Sequence, residues 1–147
     1  MRNVSDSCYL FTITLDDHVF ENNNTNVEII GFKSDVSIHG SYSDTTIRCG
    51  ENSFAFSIIN QSNFVTFSNI SFLHCDNHAI LIQDSNVLVM HSTFKSKNKH
   101  EKLAEKVDCS HQSAGGAIFV SSTTNSSHVV VHNCSFSDNR VLSYLIK

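Results

Sequence analysis

Two short groups of residues carry side chains that could perform chemistry, and the first is Asp16-Asp17-His18. Paired carboxylates serve glycoside hydrolases and polysaccharide lyases as general acid, general base or calcium ligands. Successive residues of a strand face opposite sides, however, so carboxylates that are neighbours in a strand would not face one substrate. The other acidic residues are scattered along the chain. We therefore interpret 16–18 as a solvated turn and assign no catalytic residue.

The second group, His74-Cys75-Asp76-Asn77-His78, brings several types of metal ligand together. A zinc site needs three or four ligands, and the sequence does not specify the remainder. A turn between two strands explains the same polar residues equally well. The five cysteines are an odd number without a CxxC pair, which is neither a zinc-ribbon pattern nor a clear disulfide framework. We predict no metal and no cofactor.

Half of the ten Lys and Arg residues fall in the segment 95–113. They are Lys95, Lys97, Lys99, Lys102 and Lys106. The segment lacks the apolar alternation of a strand, so we interpret it as a loop insertion. On a chain of net charge −4, such a basic loop could contact an anionic glycan or an acidic partner. The simpler interpretation is a solvated loop without a partner.

Six asparagines match the N-glycosylation pattern Asn-x-Ser/Thr. They are Asn3, Asn23, Asn60, Asn69, Asn125 and Asn133. The repeat described below itself generates the pattern at Asn69 and Asn133, which weakens the case for glycosylation at those two positions. Asn23 and Asn125 lie in polar loops and are the better candidates for glycosylation in a eukaryote.

The composition limits which elements can position these residues. Charged residues make up 16%, below the usual level of about 25%, and eleven Phe argue against disorder. The absence of Pro and the presence of only five Gly are unusual for a sandwich or barrel with many tight hairpins. The negative net charge argues against nucleic-acid binding. The chain shows no recognisable signal peptide and no apolar run of membrane-spanning length.

An internal repeat dominates the second half of the sequence. The segment SNFVTF at 62–67 recurs as SNVLV at 85–89 and as SHVVV at 127–131. A short Phe-bearing strand follows each copy, at Phe72, Phe94 and Phe136. The first two Phe are 22 residues apart and the last two 42. Aligning 78–82 with 116–120 accounts for the difference as two loop insertions in a single repeat.

Three short strands per repeat, each alternating apolar and polar residues, predict a triangular coil. Equivalent strands of successive coils then lie parallel, about 4.8 Å apart. Weaker copies at 26–31, 46–49 and 54–59 extend the repeat upstream. We predict an all-β, single-domain, right-handed single-stranded parallel β-helix over 1–147. It has about four coils of roughly 22 residues.

Stacking of equivalent residues should form two structural ladders. Phe72, Phe94 and Phe136 should stack inside the coils. The turn before each Phe contains Asn69, His91 or Asn133. These residue types tolerate the left-handed backbone conformation that a tight bend between strands requires.

The motifs GGAI at 115–118 and FSDN at 136–139 resemble the GGAI and FxxN repeats of polymorphic outer-membrane proteins. The chain is also similar to the pectin-lyase-like β-helix repeats of large cell-surface proteins. The two motifs occur together once, and Phe72 and Phe94 keep only the Phe. The clearest resemblance covers 53–140. It implies a secreted or surface-displayed glycoprotein or adhesin segment that is mostly non-enzymatic.

Two functions remain open from the sequence. The first is a non-enzymatic extracellular or cell-surface module with an adhesive, structural or glycan- or protein-binding role. The alternative is a carbohydrate-active enzyme of the pectin-lyase class, which would need acids clustered on one outer face. The apolar segment 141–146 stands where a further strand is expected. We therefore expect the natural protein to continue beyond Lys147, and this chain alone to self-associate end to end.

Overall fold

The computed structural model describes residues 10–16, 19–21, 27–41, 45–49, 54–75, 78–95, 117–123 and 127–138. These residues form short β-strands and contain no helix. The strands are β1 (Leu10–Leu15), β2 (Val19–Glu21), β3 (Val27–Ile30), β4 (Asp35–Gly40), β5 (Thr46–Arg48), β6 (Phe56–Ile59), β7 (Phe64–Ser68), β8 (Ser71–Leu73), β9 (Ile80–Gln83), β10 (Asn86–Met90), β11 (Thr93–Lys95), β12 (Ile118–Ser121), β13 (His128–His132) and β14 (Ser135–Ser137).

The strands assemble into three parallel sheets, A, B and C, and successive strands of the chain belong to A, B and C in turn. Sheet A has the order β1-β4-β7-β10-β13, sheet B the order β2-β5-β8-β11-β14, and sheet C the order β3-β6-β9-β12. Each strand therefore pairs with the strand three places later in the chain. We call one passage through sheets A, B and C a coil. The all-β class with stacked parallel strands, predicted from the repeat, is confirmed.

The register between coils is the one that the repeat alignment predicts. Val65 pairs with Val87, and Val87 pairs with Val129. Phe94 pairs with Phe72 on one side and with Phe136 on the other. The weaker upstream copies are also strands in the expected sheets, since 46–48 forms β5 beside β8 and 27–30 forms β3 beside β6.

Alternation along each strand builds the core, because successive side chains point to opposite faces of a sheet. In β10, Val87 and Val89 are fully buried, whereas Leu88 between them is only partly buried. The Phe94 ring stacks on the Phe72 ring at 4.9 Å between centroids and on the Phe136 ring at 5.0 Å. The core therefore consists of like residues stacked from one coil to the next.

Phe136 departs from the expectation that all three stacked rings lie inside. Its side chain is 49% exposed, whereas Phe94 is completely buried. Phe136 belongs to β14, which is the last strand of sheet B among the described residues. Only one of its ring faces is therefore covered by a described strand.

Left-handed residues form the corners between strands. Asn69, His91 and Asn133 have φ of 56°, 47° and 50° and open the connections from sheet A to sheet B. Gly31, Asn60 and Asp84 do the same after sheet C, with φ of 58°, 51° and 45°. His74 and Asp138 follow sheet B, with φ of 58° and 57°. Gly, Asn, Asp and His occupy this conformation at lower cost than other residues.

The basic insertion begins one residue later than the sequence indicates. Lys95 is the last residue of β11 and pairs with Leu73 and Ser137. The remainder, 96–113, lies outside the described residues. The second, shorter insertion falls between β12 and β13, where 122–127 replaces the two-residue connection 84–85 between β9 and β10.

A disulfide joins neighbouring coils. Cys49 follows β5 and Cys75 follows β8, their Cα atoms are 4.7 Å apart, and they form a disulfide bond. That separation matches the spacing of about 4.8 Å between paired strands. The spacing of the cysteines in the sequence left their pairing open, and the structure pairs these two. Cys134 is the free cysteine among the described residues.

Candidate functional site

The outer side of sheet A is the broadest surface that the strands present. Strands β7, β10 and β13 are each five residues long, whereas the strands of sheet B have three residues and those of sheet C four. The outward residues of these three strands form the surface that we call the A face. They are Phe64, Thr66, Ser68, Asn86, Leu88, Met90, His128, Val130 and His132.

The first row of the A face combines aromatic and polar groups. Phe64, Asn86 and His128 stand in register on successive strands. The Phe64 ring is 41% exposed and meets the edge of the His128 ring at 6.1 Å between centroids. The Asn86 Nδ2 atom donates a hydrogen bond to the Ser62 carbonyl oxygen at 2.6 Å, which holds this side chain beside the Phe64 strand.

The middle row becomes apolar toward β13, whereas the third row ends on a histidine there. The middle row is Thr66, Leu88 and Val130, and Val130 is 39% exposed. The third row runs from Met90 to His132, and the His132 ring lies 6.1 Å from the ring of His91 at the adjoining corner. Exposed apolar side chains are therefore interspersed with hydrogen-bonding groups across three coils.

The outward residues of β7, β10 and β13 include no Asp, Glu, Lys or Arg, and the carboxylate beside them is that of Asp35 on β4, whose Oδ1 accepts a hydrogen bond from the Phe64 backbone N–H at 3.0 Å. Apolar patches that also contain a few hydrogen-bonding groups are typical of sites that bind small molecules and partner proteins. An uncharged ligand suits such a surface, because no fixed charge on the A face would compensate the charge of a polyanion. The apolar face of a sugar ring with its hydroxyl groups, or an uncharged protein surface, has the matching chemistry.

A serine and histidine cluster joins Ser37 and His39 of β4 to Ser68, the buried member of the A face on β7. His39 bonds through Nε2 to the Ser37 hydroxyl at 2.7 Å and through Nδ1 to the Ser68 hydroxyl at 2.5 Å. A serine paired with a histidine is the arrangement of a nucleophile and its base. Ser37 and Ser68 are only 7% and 5% exposed, however, so substrate has little access to either hydroxyl. Neither hydrogen-bond partner of His39 is a carboxylate that would stabilise its imidazolium form. We therefore interpret the cluster as a structural hydrogen-bond link between two coils.

The acidic residues that a polysaccharide lyase or hydrolase would need do not come together in the described strands. Glu21, Glu28 and Asp35 lie in strands of sheets B, C and A respectively. Asp16 follows β1, and its carbonyl oxygen accepts a hydrogen bond from the Thr45 hydroxyl at 3.1 Å. Asp17 and His18 are outside the described residues.

The group 74–78 does not form a metal centre in the part of the chain that the structure describes. Cys75 is bonded to Cys49, so its sulfur is not available as a thiolate ligand. Asp76 and Asn77 lie outside the described residues. Across the described residues, no three His, Cys, Asp or Glu side chains cluster in a way that could hold a metal ion.

The remaining predicted residues are distributed as follows. Asn69, His91 and Asn133 occupy equivalent corners, and Phe72, Phe94 and Phe136 one inward row. Lys95 is an exposed residue of β11. The other four lysines of the proposed binding loop and the two favoured glycosylation sites lie outside the described residues. They are Lys97, Lys99, Lys102, Lys106, Asn23 and Asn125.

Sequence reasoning missed two features, of which the register between coils could have revealed the first. The first is the disulfide. Ile47 pairs with Phe72, Cys49 follows Ile47 by two residues and Cys75 follows Phe72 by three, so the two cysteines leave neighbouring strands at nearly equivalent positions. Gln61, completely buried, is the other: its side-chain amide bonds both backbone groups of Phe32, one coil away. Nothing in the composition distinguishes this glutamine from a solvated one.

Apolar side chains are exposed in the first and last coils of the described part. They are Leu10, Phe11, Ile13, Val19, Phe20, Val27, Ile30, Phe32, Val120, Val130, Val131 and Phe136. End-to-end self-association through such surfaces stays a prediction, which light scattering on the purified chain would test. The segment 141–146 lies outside the described residues. No helix in the described ranges is long and apolar enough to cross a bilayer.

Comparison of the chain with protein-family models, with curated proteins and with solved structures found no match.

Proposed function

We propose that this chain is a right-handed parallel β-helix that acts outside the cell as a non-enzymatic binding module. The observation that carries the proposal is the uncharged A face, which exposes an aromatic and aliphatic side chains between hydrogen-bonding groups. The stack of coils holds these groups in a regular array, because β7 and β10 are each paired on both sides and β13 is paired with β10. The ligand would be an uncharged glycan or a cell-surface protein.

Two further observations support parts of this proposal. Connections between parallel strands of one sheet are right-handed in about 98% of cases, which favours the right-handed coil. The Cys49–Cys75 disulfide favours an extracellular location, because disulfides persist mainly in exported proteins.

Ligand binding by matched variants tests the assignment of the A face. Immobilised neutral polysaccharides and cell-surface glycans would be screened with the full chain, and the dissociation constant of each hit measured. Phe64→Ser and Val130→Ser should each weaken binding by about tenfold, equivalent to about 1.4 kcal/mol. The control is Leu73→Ser, an outward apolar residue on sheet B, which should bind like the unaltered chain. Equal weakening by the control would contradict the A face as the site.

An activity assay addresses the enzymatic alternative. We expect no turnover of polyuronides or neutral glycans, because Glu21, Glu28 and Asp35 lie in three different sheets. Calcium-dependent release of unsaturated products, lost in Asp16→Ala or Asp17→Ala, would instead establish a lyase.

A further inference from the structure

Asn60 stands at the corner where the chain passes from sheet C to sheet A. It is exposed, has φ of 51°, and begins the sequence Asn60-Gln61-Ser62. This triplet matches the acceptor pattern for N-linked glycans. Asn adopts a left-handed φ with little strain, so the residue type that the acceptor pattern requires is also one that the corner conformation tolerates.

Gln61 determines which way the corner faces. Its side chain is completely buried, and its Oε1 accepts from the Phe32 backbone N–H at 2.6 Å while its Nε2 donates to the Phe32 carbonyl at 2.7 Å. Because Gln61 is anchored inward, the residues on either side of it, Asn60 and Ser62, are both exposed. The acceptor amide and the required hydroxyl are therefore both on the surface.

The space beside Asn60 is open on one side. The equivalent corner residue of the preceding coil is Gly31, since Ile30 pairs with Ile59. A Cβ atom built on Gly31 would have no heavy atom within 4 Å. No side chain of the preceding coil's corner residue therefore competes with a group attached to Asn60.

Asn69 shows the contrasting environment. It is only partly exposed, and its carbonyl oxygen packs directly against Gly40, leaving no room for a Cβ atom there. Asn133 is exposed, but the hydroxyl of its Ser135 is bonded to the Thr93 hydroxyl at 3.1 Å. Of the three described acceptor patterns, Asn60 has the most open surroundings.

We propose that Asn60 is an N-glycosylation site, an inference that rests on the export included in the proposed function. The donor is a polyprenyl-pyrophosphate-linked oligosaccharide. The Asn60 Nδ2 atom forms a bond to C1 of the first sugar, the C1–O bond to the pyrophosphate breaks, and the lipid pyrophosphate leaves. The amide proton passes to a base of the transferase.

Translation of the full chain behind a cleavable signal sequence, with microsomes present, tests this site. Glycans are counted from gel shifts before and after endoglycosidase treatment, and mass spectrometry locates them. Asn60→Asp keeps a residue that tolerates the left-handed corner, and Ser62→Ala removes only the hydroxyl. Both should carry one glycan fewer than the unaltered chain. Ser62→Thr should keep the full number.

Asn63→Asp is the matched control, because Asn63 is three residues away and is followed by Phe64-Val65 instead of an acceptor pattern. It should carry as many glycans as the unaltered chain. An Asn60→Asp chain with an unchanged number of glycans, including none on either chain, would overturn the proposal. Ligand binding is measured separately on chain without glycans, so failure of the A face to bind would leave this count unaffected.

Discussion

Truncation of Phe94 tests the stacked core most directly. Phe94 is completely buried and lies between two rings, at 4.9 Å from Phe72 and 5.0 Å from Phe136, with interplanar angles of 10° and 5°. Phe94→Ala removes the ring from both stacks at once and leaves a cavity between coils. Because each coil is stabilised through its neighbours, this cavity weakens two interfaces.

The magnitude follows from burial. Truncation of a buried Phe to Ala costs about 3–5 kcal/mol, which combines the lost transfer free energy with the cavity. Phe136 is the matched control, because it occupies the same row but is 49% exposed and stacks on one described ring. Because about half of the Phe136 side chain is buried, removing it loses about half of the burial free energy of a Phe, or about 1 kcal/mol. Its partly exposed position also means that truncation leaves no closed cavity. Phe136→Ala should therefore cost about 1 kcal/mol.

Equilibrium unfolding in urea, followed by far-ultraviolet circular dichroism, distinguishes the two variants. With a slope of about 2 kcal/mol per molar urea, Phe94→Ala should lower the midpoint by about 2 M and Phe136→Ala by about 0.5 M. Equal shifts for the two variants, or a loss below about 1 kcal/mol for Phe94→Ala, would refute the stacked row as the core of the fold.

Three further changes probe the corners and connections. Gly40→Ala should cost more than about 2 kcal/mol in urea unfolding, because the added Cβ atom would overlap the Asn69 carbonyl oxygen and force the backbone apart. Cys49→Ser opens a disulfide spanning 26 residues and should cost about 3.5 kcal/mol on the chain-entropy estimate, whereas Cys134→Ser should leave the urea midpoint unchanged under the same conditions. Replacing 96–113 by a short polar turn should preserve the strand signal in circular dichroism, because loop length alone costs little; loss of that signal would place the segment in the core.

The inner rows and one set of corners could be predicted from the sequence because each repeat carries its own copy of the pattern. The Val row and the Phe row follow from alternation, which every strand shows independently. The corners at Asn69, His91 and Asn133 follow from residue types that tolerate positive φ. The left-handed corners at Asn60 and Asp84 use the same residue types but were not predicted.

The candidate site was harder to predict, because the outer rows carry no shared residue type. Phe64, Asn86 and His128 have different chemistry, and only their common register places them side by side. Contiguous groups such as 16–18 and 74–78 stand out in a linear sequence, whereas the members of this row are 22 and 42 positions apart. The lengths of the connections between strands decide which residues of successive coils lie side by side. A row of outward residues therefore cannot be identified until those lengths are known.

The sequence by itself determined the strand pattern, the parallel stacking and the register of the strongest repeats, because alternation and corner residues act within one coil. Only the tertiary structure decided which cysteines pair, how far Phe136 is covered and which side chains share the A face. Those properties depend on contacts between coils about 4.8 Å apart, made by residues more than twenty positions distant in the chain. Disulfide pairing, ring burial and surface chemistry therefore depend on side-chain contacts between coils, which the alternation within one strand does not specify.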